Sequence, residues 1–139
     1  MNEDYVSYEL AVKLKAAGFD EPCDHYYTPN KAMRIVKDNA LAPETANNRF
    51  LDEIADGCCA AVPLWQAQKW LREKKDVLLW VYPDRQLTDE EYPEIELTGE
   101  WWWDTEGVIR ECSGDTYPSY EAALSAGIAA ALELIKKGE

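Results

Sequence analysis

The sequence is poor in the residues and motifs that most often carry chemistry. Its 139 residues include one histidine, two methionines and two phenylalanines. It contains no phosphate-binding loop, dinucleotide-binding glycine pattern, zinc-protease motif or serine-hydrolase elbow. A run of about 18 or more apolar residues, as a membrane helix needs, is also missing. We therefore expect a non-enzymatic protein with no catalytic residue, no cofactor and no membrane span.

Basic residues are scarce as well. Lys and Arg together number 14 against 27 Asp and Glu, which gives a formal net charge of -13 at pH 7. A field of this sign repels phosphate backbones and anionic membrane surfaces, so direct binding to nucleic acid or membrane is not expected. One alternative stays open, because an acidic domain can mimic DNA and occupy the basic groove of another protein.

The cysteines are few and are not spaced for a metal site. No C-x-x-C pair occurs, and Cys58 and Cys59 are adjacent. The N-terminal Met-Asn-Glu-Asp lacks the basic and apolar regions of a signal peptide, so we expect a cytoplasmic protein whose thiols stay reduced. We interpret the cysteines as buried apolar residues and expect no metal.

Cys23 and His25 suggest two alternatives to that interpretation. Alternate residues of a strand share a face, so the thiol and the imidazole of Cys-Asp-His could form a nucleophile and base pair in a hydrolase. The same two residues could instead join the later cysteines around a zinc ion. The sequence positions no third group beside the nucleophile and base pair, and the cysteine spacings match no usual zinc module.

The order of helical and strand patterns predicts an α+β fold in a single domain of residues 1–139. Amphipathic helical patterns occupy Ser7–Ala17, Pro63–Lys74 and the segment that follows Ser119. Strand patterns occupy both halves of Cys23–Val36, then Val77–Tyr82, Glu94–Asp104 and Val108–Cys112, the last two joined by a turn at Thr105–Gly107. We expect a mainly antiparallel sheet of about four or five strands with three helices packed on one face.

Two segments are predicted to lie on the surface. Lys37–Ala61 is rich in Asn, Asp and Pro, which indicates a long surface excursion with a short helical turn at Arg49–Ile54. Pro83 is expected to end the strand before it, because proline cannot donate to a strand ladder. The acidic connector Asp84–Pro93 that follows is expected to be a solvated loop.

Three consecutive tryptophans cannot all lie on one face of a strand. In a regular strand Trp101 and Trp103 share a face with Ile95 and Leu97, and we expect that face to be covered by the helices. Trp102 is then expected on the opposite face, among acidic residues.

The face that carries Trp102 is the candidate contact site. Trp80 and Tyr82 of the preceding strand can meet Trp102 there, and an apolar patch in an acidic surround often marks a binding surface. Arg110, across the predicted hairpin, is the candidate cation for an anionic ligand. Burial of Trp102 beneath the surface excursion, or a bulge at Gly99 that shifts the alternation, would remove the patch.

Three blocks of the sequence resemble small uncharacterised proteins encoded by phages and prophages of Bacteroidales. The blocks are Ser7–Cys23, Val62–Glu73 and Tyr120–Ile135, so the resemblance covers both ends and the middle of the chain. It implies a phage or mobile-element accessory protein and carries no catalytic residue. Because such proteins often antagonise host defence, the expected partner is a host protein, and a homodimer stays open.

A small-molecule binder is the alternative from another functional class. Tryptophan faces stack on nucleobases, so the chain could act as a sponge for a nucleotide signal. An anionic ligand of this kind would need a nearby cation, for which Arg110 is the best candidate.

Overall fold

The computed structural model describes residues 4–38, 44–54, 56–89 and 91–138. Their elements, in chain order, are α1 (Tyr8–Ala16), β1 (His25–Tyr27), β2 (Met33–Ile35), α2 (Asn48–Ile54), β3 (Cys59–Ala60), α3 (Leu64–Lys74), β4 (Val77–Leu87), β5 (Ile95–Gly107) and α4 (Tyr120–Gly138). The chain divides into two compact units, Met1–Trp70 and Leu71–Glu139, and each is described by itself. The single domain expected from the sequence stays a prediction.

The α+β class is confirmed, but the arrangement of the sheet differs from the prediction. The described strands form a three-stranded sheet and a separate two-stranded sheet, both antiparallel, where one larger sheet was expected. The described residues also contain a fourth helix, α2. The expectation of three helices on one face of a single sheet is therefore corrected, because the strands form two sheets.

Helix α1 in the first unit begins and ends where the sequence predicts. Ser7 Oγ accepts a hydrogen bond of 3.2 Å from the backbone N–H of Leu10, which satisfies one of the N–H groups left free at a helix start. Gly18 follows the helix with a φ of 96°, a left-handed conformation that glycine adopts at little cost. Leu14 on one face of the helix is fully buried, as is Phe19 where the chain returns to the core.

The small sheet of the first unit has the strand order β2–β1–β3. Tyr26 of β1 lies opposite Arg34 of β2, which confirms the two short strands predicted within Cys23–Val36. On the other side of β1, Tyr27 lies opposite Cys59 of β3. The buried hydroxyl of Tyr27 donates a hydrogen bond of 2.6 Å to a backbone carbonyl, so this aromatic side chain is both packed and satisfied.

The segment Lys37–Ala61 contributes to the core, which corrects the prediction of a surface excursion. Helix α2 confirms the predicted helical turn, but Leu51 of this helix is fully buried. The run from Cys58 to Ala61 is also buried. Residues 39–43 and 55 of the segment lie outside the described residues.

Asn48 explains why a polar segment can be buried here. Its side-chain Nδ2 donates to the carbonyl of Phe19 at 2.9 Å, and its Oδ1 accepts from the N–H of Ala60 at 2.8 Å. A buried amide costs little when its donor and acceptor are both satisfied. Asn48 therefore joins α2 to two other segments of the first unit, whereas its polarity alone suggested a solvated position.

The second unit is built on the antiparallel ribbon of β4 and β5. β4 continues through Pro83 to Leu87, which corrects the expectation that Pro83 ends the strand. Trp101 lies opposite Pro83, and the backbone of Trp101 exchanges hydrogen bonds of 2.9 and 2.7 Å with Tyr117 on its other side. Pro83 therefore sits in a non-hydrogen-bonded pair, where its missing N–H removes no bond of the ladder.

The predicted hairpin after Thr105 has a different form. β5 runs on to Gly107, and the segment that returns along it makes isolated bridges in place of a regular strand. The buried Thr105 accounts for this difference. Its Oγ1 donates to the carbonyl of Ile109 at 3.1 Å and accepts from the N–H of Glu111 at 2.9 Å. These side-chain bonds stand beside a single backbone bond of 2.8 Å from the N–H of Thr105 to the carbonyl of Glu111, so the pairing here is not a regular ladder.

Helix α4 packs closely on one face of the ribbon. Ser119 begins it as predicted, since Ser119 Oγ accepts a hydrogen bond of 3.0 Å from the N–H of Ala122. Gly127 is buried at the contact, where a Cβ would lie 2.7 Å from Leu79 Cδ1 and 3.1 Å from Trp103 Cγ. The absence of a side chain at Gly127 therefore sets the separation between the helix and the strands.

We expect Gly127→Val to lower the free energy of unfolding by about 1–3 kcal/mol, because the added methyl groups overpack this contact. Gly114→Ala is the control, since a Cβ at Gly114 meets nothing within 4 Å, and its effect should stay within about 0.5 kcal/mol. Chemical denaturation followed by circular dichroism measures both. Equal stability of wild type and Gly127→Val would show that the helix does not depend on close contact here.

Candidate functional site

β5 separates the three consecutive tryptophans onto two faces, as predicted. Trp103 is 5% exposed, lies opposite Val81 and belongs to the face that α4 covers. Trp101, on the same face, is half-buried and makes an edge-to-face contact with Tyr120, with ring centroids 5.5 Å apart. Trp102 lies between them in the strand and therefore projects from the other face.

Ile95 and Leu97 are exposed, which corrects the expectation that they share the covered face with Trp101. The pairing of β4 and β5 changes register between Pro83 and Arg85, and β5 has Gly99 at a φ of 89° in the same region. Helix α4 begins beside Trp101, so it covers the ribbon only from that level onward. The bulge lies before the tryptophans in the strand and leaves their alternation intact.

Trp102 stacks on Tyr82, which lies directly opposite it in β4. The ring centroids are 4.7 Å apart and the ring planes differ by 28°. Trp80, two residues before Tyr82 and so on the same side of β4, is 44% exposed. We call these three side chains the aromatic face. The predicted contact between Trp102 and the preceding strand is thus confirmed, with Tyr82 as the ring in contact.

Carboxylates border the aromatic face. Asp104 lies opposite Trp80, Glu106 lies opposite Leu78, and Glu100 shares their parity along β5. Within the described ranges none of these three carboxylates forms an ion pair. Arg110 lines the same concavity as Asp104 and Glu106, but the acidic residues outnumber it, so the surface around the aromatic face stays negative and attracts cations.

Arg110 lies at the end of the ribbon, not over the tryptophan rings. It is exposed and lines a shallow concavity of about 410 Å³ with Asp104, Glu106, Glu111 and Cys112. Three carboxylates against one guanidinium give this concavity a negative field. It is therefore a poor site for a phosphate group, although it adjoins the acidic border of the aromatic face.

Cys23 and His25 do not form the pair that a thiol hydrolase needs. His25 Nδ1 is paired with Asp24 Oδ1 at 2.7 Å and lies 3.4 Å from the Tyr5 hydroxyl. The thiol of Cys23 instead donates to Gln66 Oε1 at 3.8 Å. Burial raises the pKa of Cys23 to about 12, so the reactive thiolate is scarcely populated at neutral pH. These contacts favour a structural role for both residues.

The remaining cysteines do not assemble a metal site either. Burial raises the pKa of Cys58, and raises that of Cys59 to about 11, while Cys112 is exposed. Among the residues that the structure describes, no three His, Cys, Asp or Glu side chains are grouped closely enough to hold a metal ion. The zinc alternative therefore has no set of ligands in this part of the chain.

The sequence did not reveal a second exposed apolar surface. The expectation of a solvated loop at Asp84–Pro93 is corrected, because the first half of this segment continues β4 and pairs with β5. The signal was the pair of apolar residues Leu87 and Ile95 on either side of the acidic turn. That signal is ambiguous, because alternating apolar residues in a strand predict a face covered by another layer as readily as an exposed one.

Comparisons with known proteins identify no protein that is similar to this chain. No protein-family model matches the chain, and neither a curated protein nor a solved structure is detectably similar to it. No helix in the described ranges is long and apolar enough to cross a bilayer. The candidate site is therefore defined by its own geometry and charge.

Truncation of the tryptophans should separate the two faces of β5. Trp103→Ala should lower the free energy of unfolding by about 3–5 kcal/mol, because it leaves a cavity between the ribbon and α4. Trp102→Ala should lower the free energy of unfolding by only about 0.5–1.5 kcal/mol, because the loss is mainly that of its stacking on Tyr82. Urea denaturation of both variants gives the comparison, and equal losses would mean that Trp102 is a core residue too.

Proposed function

We propose that this chain is a non-enzymatic binding protein whose aromatic face contacts another protein. The observation that supports this function is the aromatic face itself, three large rings side by side with Trp80 44% exposed. Large aromatic side chains are the residues most often found as energetic anchors of protein interfaces. Trp80 is exposed and Tyr82 and Trp102 are half-buried, so the face offers aromatic surface to a partner, and grouped surface aromatics mark contact sites more often than single ones do.

The partner is expected to carry a basic rim around an apolar centre. The carboxylates of Glu100, Asp104 and Glu106 border the rings without ion pairs in the described ranges, and the whole chain carries a net charge of -13. Complementary charge at an interface speeds association and selects among partners. Stacking of Tyr82 on Trp102 also fixes both rings before binding, which reduces the entropy lost on association.

The resemblance to small phage and prophage proteins of Bacteroidales supports a host protein as the partner. In that context the chain acts in the host cytoplasm and antagonises its partner by occupying a basic surface. A host-defence protein is the class of partner that this context favours, and the interaction requires no catalytic residue or cofactor.

The nucleotide-binding alternative has weaker support from the site. Tyr82 already covers one face of Trp102, so a base cannot insert between these two rings without breaking their stack. Arg110, the candidate cation, shares its concavity with three carboxylates that repel phosphate. A DNA mimic would use the acidic charge, but it gives the aromatic face no role.

A double variant, Trp80→Ala with Trp102→Ala, tests the proposed function. Wild-type protein immobilised on a resin and incubated with lysate of Bacteroidales host cells should retain a host protein. The double variant, immobilised in the same amount, should retain about tenfold less of that protein. Quantitative mass spectrometry of the bound fraction measures this ratio. The retained protein, once purified, should bind wild type more weakly as salt rises, because charges border the contact.

Trp65→Ala is the matched control for exposure. Trp65 is 63% exposed and lies on α3, not on either strand of the ribbon, so its removal should leave retention unchanged. Circular dichroism of each variant verifies folding. Retention that is the same for wild type and the double variant, or that falls equally in Trp65→Ala, would contradict the proposed role of the aromatic face.

A further inference from the structure

Trp80 is the most open ring of the aromatic face. Tyr82 and Trp102 each cover one side of the other, and both are half-buried. Trp80 is 44% exposed, and it makes no ring contact with another aromatic side chain in the described ranges. Part of its π surface is therefore open to solvent.

Asp104 places a carboxylate beside this ring. It lies directly opposite Trp80, and both side chains project to the same face of the ribbon. The N–H groups on either side of Asp104, those of Trp103 and Thr105, donate to the returning segment. Asp104 and Trp80 are therefore a hydrogen-bonded pair of the ladder, with Cα atoms about 5.5 Å apart. This separation puts the ring and the carboxylate within reach of one ligand group.

The charge around Asp104 leaves room for a second cation. Asp104, Glu106 and Glu111 line the concavity at the end of the ribbon together with Arg110. Three carboxylates against one guanidinium leave a formal surplus of two negative charges there. Glu100, on the same face of β5, adds another exposed carboxylate. Among the described residues Asp104 forms no ion pair, so its carboxylate is open to a cation from a partner.

A guanidinium matches both groups of this pair. It is a planar cation that stacks on the face of a tryptophan ring, and its N–H groups can donate to a carboxylate at the same time. The ammonium of lysine is compact and more strongly hydrated, so it gives up more on stacking. An apolar side chain on Trp80 would leave the carboxylate of Asp104 desolvated and unpaired. A nucleotide would bring its phosphate against the same carboxylates.

We propose that Trp80 and Asp104 bind an arginine side chain of the partner protein. The guanidinium lies on the Trp80 ring and donates to the carboxylate of Asp104. The stacked rings of Tyr82 and Trp102 take a neighbouring apolar residue of the same partner. This inference rests on the proposed function, since it names the chemical group of the partner that the aromatic face recognises.

Three capped tripeptides test the site with the full-length chain, namely Gly-Arg-Gly, Gly-Lys-Gly and Gly-citrulline-Gly. Each is acetylated and amidated to remove its terminal charges. Citrulline has the shape of arginine with a neutral urea in place of the guanidinium. Titration into ¹⁵N-labelled protein, followed by the indole N–H signal of Trp80, gives the dissociation constants. We expect the arginine peptide to bind about threefold more tightly than the lysine peptide and at least about tenfold more tightly than the citrulline peptide.

Two variants locate the binding of the arginine peptide. Asp104→Asn keeps the shape of the side chain and removes its charge, so affinity should fall by about threefold or more. Trp80→Leu keeps an apolar residue without a π surface and should weaken binding by a similar factor, measured on the backbone amide signal of Asp104. Circular dichroism verifies the folding of each variant, and either folded variant alone decides the test.

Glu91→Gln is the matched control for the loss of one charge. Glu91 is exposed in the turn of the ribbon, roughly 20 Å or more from Trp80 along the strands. That separation exceeds the Debye length of about 8 Å at physiological ionic strength, so the affinity of the arginine peptide should stay within about 1.5-fold.

Three results would overturn the proposal for the arginine site. One is equal affinity for the arginine and citrulline peptides, which would show that the cation is not recognised. Another is unchanged affinity in folded Asp104→Asn or Trp80→Leu protein. The third is a wild-type dimer in light scattering that dissociates in Asp104→Asn, which would identify a second copy of the chain as the source of the arginine.

The lysate experiment separates this inference from the proposed function. A host protein that is lost with Trp80→Ala plus Trp102→Ala, but is retained equally by wild type and Asp104→Asn, would overturn the arginine site and leave the proposed function standing. Selective binding of the arginine peptide without any retained host protein would contradict the proposed function and leave the arginine site standing.

Discussion

Side-chain alternation along β5 is the constraint on which the second unit depends. Because consecutive residues of a strand project to opposite faces, Trp103 must fill the contact with α4 while Trp102 must stack on Tyr82. Trp103 is buried among apolar groups, and its indole N–H has no hydrogen-bond partner in the described ranges. Its contribution therefore comes from apolar area and close packing, not from a hydrogen bond.

The backbone hydrogen bonds of β5 also alternate between two neighbouring segments. The N–H groups of Trp101, Trp103 and Thr105 donate to the returning segment, to Tyr117 O, Ser113 Oγ and Glu111 O. The residues between these three, Trp102 and Asp104, lie opposite Tyr82 and Trp80 of β4. β5 is thereby held from both sides over the stretch that carries the tryptophans. Pro83 is tolerated in β4 for the same reason, since its position in the ladder requires no N–H. A rigid backbone under the aromatic face follows from this double support.

Features that depend on neighbouring residues could be predicted from the sequence, whereas features that depend on contacts between distant residues could not. The helix starts at Ser7 and Ser119 follow from their capping hydroxyls, and the division of the tryptophans follows from strand periodicity. The burial of Asn48 depends on hydrogen-bond partners that are distant in sequence, so the polarity of its segment led to the wrong prediction of a surface position. The two separate sheets depend on strand pairing, which composition does not encode. In the candidate site, the stacking of Trp102 on the preceding strand was predictable, but the acidic surround of Arg110 was not.

The central claim is that the ribbon has one covered face and one open face, and the indole N–H signals of the tryptophans test it most directly. In ¹⁵N-labelled protein, with signals assigned by single Trp→Phe variants, a soluble paramagnetic agent attenuates the indoles that reach solvent. We predict strong attenuation for Trp80, clear attenuation for Trp102 and little for Trp103, with the exposed Trp65 as reference. A Trp102 signal as well protected as that of Trp103 would contradict the account.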